Sequence, residues 1–301
     1  MTTTARKLEY RGDGSVPPGA EPNTRGERGR YLADPRLVAA VNTALIVGQP
    51  LLVTGDPGTG KTTLAWSVAS ELGLGEVLEF HTRSDHRARD VLYEMNHLLR
   101  FYHAQVHDER ATKPENYIRW NALGCAILSP TTRLVLIDEI DKAPRDFPND
   151  LLDEIDQMKF DVPELDGRKF EAVERPVVII TSNSERQLPD PFLRRCVFHR
   201  IEFPDATRLH DILFERLGHL DLSERLAKAA VARFEQLRAL PGLEKRPSTG
   251  ELIAWVKVLR ATGVDSAALE SISRLADLPG PSALVKTERD ARLLASAGTT
   301  A

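Results

Sequence analysis

The spacing of apolar positions along the 301-residue chain changes near residue 205. Before that point, short apolar runs alternate with longer stretches in which apolar residues recur at helical spacing. Such a pattern is typical of buried parallel strands separated by helices. After residue 205 only the helical spacing continues, with breaks at Gly263 and around Pro279. The pattern therefore predicts an α/β domain followed by an all-helical domain.

Several elements can be assigned from this pattern. Asp34 or Ala33 begins the first predicted helix, with Pro35 in its first turn. A hairpin is predicted over 159–173, centred on Asp166 and Gly167. Predicted strands cover 50–54, 76–80, 134–137, 177–180 and 197–203. Further helices are predicted near 64–72, 115–128, 146–158, 206–217, 222–239, 248–262, 265–277 and 281–296.

The first thirty residues differ from the rest of the chain. They contain five glycines, three prolines and many charges, a composition that cannot bury enough apolar surface to order alone. We therefore predict a flexible arm over 1–30, with at most a short strand at 7–10. The predicted domains are this arm, an α/β core over 31–205 and a helical domain over 206–301.

A glycine-rich turn joins the first strand to the next helix and carries the most specific motif. The turn runs Gly55, Asp56, Pro57, Gly58, Thr59, Gly60, Lys61, Thr62 and then Thr63. The strand, turn and helix context makes G-x-x-x-x-G-K-T a phosphate-binding P-loop. Its glycines let backbone N–H groups surround a phosphate, and the helix adds a positive dipole end. Lys61 would meet the β- and γ-phosphates of ATP, and Thr62 would offer a hydroxyl to Mg²⁺.

Two carboxylates follow the apolar strand 134–137. Asp138 and Glu139 stand at the carboxyl end of that strand, where ligands bind in open α/β sheets. Asp138 fits the acid that organises Mg²⁺, and Glu139 fits a base that polarises the attacking water. Beside a P-loop, this pair indicates nucleotide hydrolysis more strongly than a solvated turn.

Composition narrows the function further. A net charge of -4 provides no basic excess, which argues against nucleic acid as a partner. Cys125 and Cys196 lie in apolar contexts and indicate buried free thiols in a reducing compartment. Neither a signal peptide nor a membrane-length apolar run is evident, so a cytoplasmic location is expected. The histidines at 86, 97, 103 and 107 lack a partner set for zinc and are predicted to be solvent-exposed.

Polar residues later in the chain complete a recognisable order. Asn183 ends the 177–180 strand, Arg194 and Arg195 precede the last strand, and Arg246 precedes a helix capped by Ser248 or Thr249. Together with the P-loop and the Asp138–Glu139 pair, this order resembles that of AAA+ ATPases. Stretches such as Tyr31 to Asp34, Asp90 to Tyr93 and the 159–173 hairpin resemble the MoxR-like branch. The resemblance covers about residues 31 to 260.

The resemblance implies a fold, an assembly and roles. It implies a five-stranded parallel sheet in the order 5-1-4-3-2 with a helical lid, and a homo-oligomeric, hexameric ring with ATP between neighbouring subunits. It implies that Asn183 is sensor 1, that Arg195 is the finger that reaches a neighbour's γ-phosphate, and that Arg246 is sensor 2. Because both 194 and 195 are arginine, the choice of finger stays open. The implied partner is a protein client, with a von Willebrand A domain protein as one possibility.

These features predict Mg²⁺-dependent ATP hydrolysis that drives shape changes in a ring and remodels a protein partner. The alternatives are a nucleotide-gated scaffold with slow hydrolysis, a nucleic-acid motor and a small-molecule kinase. The kinase is disfavoured because Glu139 follows Asp138 directly. The hairpin 159–173 and the arm 1–30 are the predicted client contacts.

Overall fold

The computed structural model describes residues 8–17, 31–183, 185–218 and 222–297. These residues form two compact units. The first contains the described residues up to Ile201 except 56–60, and the second contains Asp56–Gly60 together with the described residues from Glu202 onward. The change of unit at 201–202 lies close to the predicted boundary at 205, whereas the grouping of the P-loop tip with the helical unit has no counterpart in the sequence prediction.

The first unit is built around a parallel sheet. Its strands are β1 (Leu51–Gly55), β2 (Leu78–His81), β3 (Tyr93–Met95), β4 (Ile118–Trp120), β5 (Leu134–Asp138), β6 (Lys159–Val162), β7 (Arg168–Glu171), β8 (Val177–Ser182) and β9 (Val197–Ile201). Its α-helices are α1 (Pro35–Val47), α2 (Lys61–Leu72), α3 (His97–Gln105), α4 (Ala122–Leu128), α5 (Phe147–Asp150), α6 (Leu152–Gln157) and α7 (Asp190–Leu193). Short 3₁₀ turns occupy 88–91, 109–112, 114–117, 140–142 and 163–165.

Five strands form the central sheet in the order β2-β5-β8-β1-β9, with every pairing parallel. Counted along the chain, this is the predicted order 5-1-4-3-2, which is confirmed. Side chains alternate between two cores: Val135 and Ile137 of β5 face one, and Leu134 and Leu136 face the other. Because both faces are covered, the central strands are apolar at every position, as the sequence pattern requires.

Local signals fix the helix that leads into β1. Asp34 accepts hydrogen bonds from the backbone N–H groups of Arg36 and Leu37, and Pro35 occupies the first turn of α1. Gly48 ends the helix in the left-handed conformation, which glycine adopts without strain. The predicted start of this helix is confirmed.

The region between β2 and β5 differs from its prediction. Residues 115–128 were predicted as one helix, but 114–117 form a 3₁₀ turn, β4 follows, and only α4 is α-helical. β4 pairs with β3 in an antiparallel ribbon, and β6 pairs with β7 in the predicted hairpin. The rings of Tyr93, Trp120, Phe160 and Phe170 pack together across these two ribbons at centroid distances of 5.2–6.3 Å. A three-residue strand is too short to show a period of two, so its partners decide its conformation.

Part of the predicted flexible arm is packed against the first unit. Tyr10 is buried, and its backbone exchanges hydrogen bonds with the side chain of Asn42 on α1. Its hydroxyl lies 2.9 Å from Ser67 Oγ on α2. The carboxylate of Glu71 accepts from the backbone N–H groups of Arg11 and Gly12. Residues 8–12 therefore do not behave as a free arm, and residues 8–10 form no strand; the other arm residues, 1–7 and 18–30, lie outside the described part of the chain.

The second unit is helical, as predicted. Its helices are α8 (Ala206–Leu217), α9 (Glu224–Arg238), α10 (Thr249–Ala261), α11 (Ser266–Ser271) and α12 (Glu288–Ser296), with 3₁₀ turns at 275–277 and 281–283. The helices predicted at 265–277 and 281–296 are shorter in the structure, and turns replace their ends. A separate apolar core centred on Phe234 and Trp255 holds the unit together. No helix in the described residues is long and apolar enough to cross a membrane.

The packing of Tyr10 generates a prediction. Tyr10→Ala should lower the free energy of unfolding, measured by urea denaturation, by about 3–5 kcal/mol, because it empties a site filled by a buried ring. Tyr10→Phe keeps the ring and loses only the hydrogen bond to Ser67, so about 1 kcal/mol should be lost. If Tyr10→Ala has wild-type stability, residues 8–12 do not contribute to the fold.

Candidate functional site

Polar side chains collect at the carboxyl-terminal edge of the central sheet. Since the strands are parallel, their carboxyl ends meet there, and the register pairs His81 with Asp138 and Thr54 with Ser182. The edge is also where β1 passes into the glycine-rich turn. The predicted P-loop lysine and the predicted carboxylate pair are therefore neighbours in the first unit.

Lys61 begins α2 and is buried despite its charge. Its Nζ donates to the carbonyl oxygen of Gly55 at 2.8 Å, and 6% of the residue is exposed. A buried ammonium needs acceptors, and this carbonyl bends the side chain back across the turn. The lysine is thus held beside the loop and not extended into solvent, which suits a point charge for phosphate.

The tip of the loop belongs to the second unit. Thr59 closes a turn by donating its hydroxyl and its backbone N–H to the carbonyl oxygen of Asp56, at 2.8 and 3.3 Å. Gly58 and Gly60 have φ values of 77° and 92°, which other residues rarely adopt. A Cβ at Gly58 would also lie 2.5 Å from the Cβ of Ser248. Position 58 is therefore restricted to glycine by conformation and by space.

Asp138 is the centre of the site in the first unit. Its Oδ1 accepts from the hydroxyl of Thr181 at 2.6 Å and from the hydroxyl of Thr62 at 3.0 Å. Its Oδ2 lies 3.4 Å from Nδ1 of His81. A carboxylate beside a threonine hydroxyl is a set of oxygen ligands that suits Mg²⁺. Thr62 and Asp138 thus fit the predicted metal-binding role.

Glu139 follows in an unusual backbone conformation. Its φ is 56°, in the left-handed region, which costs a non-glycine residue about 1–3 kcal/mol. Its backbone N–H donates to Thr181 Oγ1 at 2.9 Å and so helps to hold the turn. Asn183 Nδ2 donates to Glu139 Oε1 at 3.1 Å, and Lys142 Nζ donates to Oε2 at 2.5 Å. The hydrogen bond to Glu139 raises the pKa of Lys142 above its usual value.

Three further residues complete the site, and the sequence analysis did not select them. Thr181 bonds to both Asp138 and Glu139, His81 lies beside Asp138, and Asp141 is buried with its carboxylate on the loop after β8. Asp141 accepts from the backbone N–H of Asn183 at 3.3 Å and from that of Glu185 at 3.0 Å. Thr181 and His81 could have been found from the sequence because each lies at the end of a strand. For Asp141, the sequence offers only its closeness to Glu139.

The other predicted site residues lie elsewhere. Thr63 is half-buried in the first turn of α2. Arg194 and Arg195 lie between α7 and β9, the edge strand of the sheet. Arg195 Nε is 2.6 Å from Asp156 Oδ2, whereas Arg194 is exposed and its side chain has no hydrogen bond or ion pair with the described residues. Arg246 is exposed on the loop before α10, in the second unit.

The two hydrogen bonds of Thr181 generate a prediction. Thr181→Val keeps the shape but leaves the Asp138 carboxylate and the Glu139 N–H short of a partner. The free energy of unfolding should fall by roughly 1–3 kcal/mol. Thr181→Ser, which keeps the hydroxyl, should lose less, and Thr43→Val on the exposed face of α1 serves as a control for the same substitution. Equal stability of the Val and Ser variants at 181 would contradict the role of this hydroxyl.

The chain is similar in fold to solved structures of other proteins. Among solved structures, a proline-to-glycine mutant of Thermotoga maritima RuvB matches with a TM-score of 0.51 at 16% identity, covering 78% of this chain and 66% of that one. An alanine-to-serine mutant of the same protein gives 0.50 at 15% identity, with 78% and 65% covered. A third structure, the Thermotoga maritima RuvB Holliday junction branch migration motor, gives a TM-score of 0.48 at 17% identity, with 78% and 65% covered. The match thus spans slightly less than two thirds of these proteins, and at such identities it concerns the fold alone.

No curated protein is similar enough to the chain to count as a match. The family model of the ATPase family associated with various cellular activities (AAA) matches residues 51–205. This segment runs from β1 through the P-loop and the Asp138–Glu139 pair to the end of the sheet, and it makes up half of the chain. The chain therefore belongs to the AAA ATPase family.

Proposed function

We propose that this protein is a MoxR-like AAA+ ATPase that hydrolyses ATP with Mg²⁺ in a homo-oligomeric ring, a hexamer in the MoxR-like pattern, and remodels a protein partner. The observation that carries the proposal is the hydrogen-bonded set at the sheet edge. In it, Thr62, Asp138 and Thr181 meet around one carboxylate oxygen, and Asn183 bonds to Glu139. Membership of the AAA ATPase family indicates that the nucleotide is ATP. The roles of the individual residues are inferred from their contacts.

The P-loop binds the phosphates. The backbone N–H groups of the loop, which Pro57 lacks, would surround the β-phosphate, and Lys61 would exchange its bond to the Gly55 carbonyl for phosphate oxygens. Thr62 and Asp138 would hold Mg²⁺, which neutralises charge on the phosphate oxygens. The hydroxyl of Thr181, which donates to Asp138, would keep that carboxylate oriented for the metal.

Glu139 is the proposed base. Both of its carboxylate oxygens accept hydrogen bonds in this structure, one from Asn183 and one from Lys142. Each of these contacts occupies a carboxylate oxygen that the attacking water would otherwise approach. The exposed bond to Lys142 is the weaker restraint, because an exposed ion pair contributes only about 0–1 kcal/mol. We infer that hydrolysis requires release from Lys142, while Asn183 acts as sensor 1 and orients Glu139 and the attacking water.

Shared sites between subunits are part of the proposal. β9 is the edge strand, so the arginines before it can face away from their own subunit. The resemblance gives the finger role to Arg195, but the ion pair with Asp156 occupies that side chain, and Arg194 is the one without a partner among the described residues. The geometry therefore favours Arg194. The pair at Arg195 is half exposed and worth little, so experiment must decide between the two.

A protein client fits better than a nucleic acid. The hairpin β6–β7 is tied to the β3–β4 region through Glu164, whose carboxylate accepts from the Tyr93 hydroxyl at 2.8 Å and from Arg89 at 3.3 Å. This couples the predicted client contact to the α/β core that carries the site. A von Willebrand A domain protein is the partner that the MoxR-like pattern suggests. The net charge of -4 gives the chain no overall basic excess, which argues against the nucleic-acid motor.

One observation favours a second candidate function. In this structure two donors hold the Glu139 carboxylate. A nucleotide-gated scaffold, which binds ATP, assembles and hydrolyses too slowly to do work, would show the same geometry. ATPase rates with and without a partner protein separate the two, since only a motor is accelerated by its client.

The base assignment predicts the behaviour of Glu139→Gln. This variant keeps the shape of the side chain and one acceptor oxygen but cannot accept a proton, so ATP hydrolysis should fall at least about a hundredfold. ATP affinity, measured by calorimetry with Mg²⁺, should stay near wild type. Lys142→Met is the matched variant: it frees the carboxylate and should leave turnover equal or faster. Unchanged turnover in Glu139→Gln would remove Glu139 from the mechanism; the ATP-locked protein can also be used to capture clients.

The ring proposal predicts complementation. Lys61→Ala should be inactive alone, and so should whichever of Arg194→Ala and Arg195→Ala removes the finger, since a finger can contribute roughly a thousandfold or more. Mixed rings contain interfaces with an intact P-loop and an intact finger, so activity should return in the mixture with the true finger variant. If neither mixture recovers activity although mixed rings form, the arginines act within their own subunit or not at all.

A further inference from the structure

The loop that carries Arg246 is fixed from both sides. On one side, the carboxylate of Asp290 accepts from the backbone N–H of Glu244 at 2.7 Å and from that of Lys245 at 3.0 Å. On the other side, Nη1 of Arg238 donates to the carbonyl oxygen of Pro247. Arg246 lies between these two attachments. Its backbone is therefore confined, while its own side chain is exposed and has no hydrogen bond or ion pair with the described residues.

Each attachment is made by a charged side chain, the carboxylate of Asp290 or the guanidinium of Arg238, that is at least partly removed from solvent. Asp290 is fully buried. Burial alone would raise its pKa, but the N–H donors of Glu244 and Lys245 outweigh that effect and leave the pKa below its usual value. Arg238 is the last residue of α9, and its guanidinium lies 3.4 Å from the ring centroid of Phe203. A buried charge is unfavourable unless its partners are well placed, so core packing alone does not account for Asp290, while Arg238 is half-buried.

The residue after Pro247 continues the same arrangement. Ser248 caps α10: its Oγ accepts from the N–H of Glu251 at 3.4 Å, and its own N–H donates to Glu251 Oε2 at 2.6 Å. The direction of α10 is thus tied to the loop that Arg238 holds. Arg238 also interacts electrostatically with Asp56 of the P-loop tip and with Arg246, all within the second unit.

We propose that Arg238 and Asp290 are positioning residues that hold the 244–247 loop so that the Arg246 guanidinium is presented to the nucleotide phosphates. This inference rests on the proposed sensor role of Arg246 and deepens it. Neither residue touches the nucleotide in the proposal; both act through Arg246. A fixed backbone removes conformational entropy in advance, so that less is lost when the side chain engages phosphate.

The chain offers a matched control on the same helix. Arg233 of α9 donates to the carbonyl oxygens of Leu269 and Glu270, at 3.0 and 2.9 Å. Like Arg238 it ties α9 to a neighbouring segment, but that segment is remote in sequence from Arg246. Arg233→Met therefore reports what is lost when an arginine leaves α9 without any effect on the 244–247 loop.

The first test is structural and independent of ATP hydrolysis. Trypsin cleavage after Lys245, followed by mass spectrometry in the full-length protein, measures opening of the loop. Arg238→Met and Asp290→Asn should be cleaved there at least about tenfold faster than wild type, since each loses a charge-assisted hydrogen bond. Arg238→Lys should fall in between, and Arg233→Met should be cleaved at the wild-type rate. Cleavage of Arg238→Met no faster than that of Arg233→Met overturns the proposal.

The second test asks whether the two residues act through Arg246. Arg238→Met and Asp290→Asn should lower kcat for ATP about tenfold or more, whereas Arg233→Met should not. Combined with Arg246→Ala, neither change should lower kcat further, because the residue through which they act is already absent. Additive losses in the double variants would mean an ordinary stabilising role and overturn the inference alone. If Arg246→Ala itself leaves ATP affinity and turnover unchanged, the sensor role fails first, and the inference with it.

Discussion

The site depends on one buried carboxylate. Asp138 ends β5 inside the sheet edge, where an ionised carboxylate is strongly unfavourable unless hydrogen-bond donors surround it. The donors come from two other elements, Thr181 on β8 and Thr62 on α2. The requirement to satisfy Asp138 therefore fixes the P-loop helix and the β8 strand against β5. Because Thr181 also accepts from the N–H of Glu139, the same hydroxyl sets the turn that carries the proposed base.

Whether a feature could be predicted from the sequence depends on how far apart in the chain its interacting residues lie. Buried parallel strands and the P-loop are each encoded by contiguous residues. The sheet order and the turn between Gly55 and Thr62 could therefore be predicted from the sequence. The docking of Tyr10 could not, because its partners Asn42 and Ser67 lie 32 and 57 positions away and the local composition favours disorder. The ribbon β3–β4 was missed for a related reason: its three-residue strands are stabilised by the aromatic side chains of the hairpin.

The same distinction between contiguous motifs and long-range contacts separates the site residues that could be predicted from those that could not. Lys61, Asp138 and Glu139 belong to contiguous motifs. Thr181 and Asp141 act through contacts with residues 40 or more positions away, and neither residue type is unusual for a strand end or a turn. The preference for Arg195 over Arg194 could not be judged from sequence, because it depends on Asp156, which α6 brings next to one arginine and not the other.

A common device holds the segments that matter for function. Three buried carboxylates each accept two backbone N–H groups from a distant segment: Glu71 from 11–12, Asp141 from 183 and 185, and Asp290 from 244–245. Charge-assisted bonds of this kind are about twice as strong as neutral ones, and they use no side chain of the segment that they hold. The backbone of a loop can thus be fixed while its side chains stay available. This arrangement suits the sensor roles proposed for Asn183 and Arg246, because the side chain of a sensor must change partner with the nucleotide while its Cα stays in place.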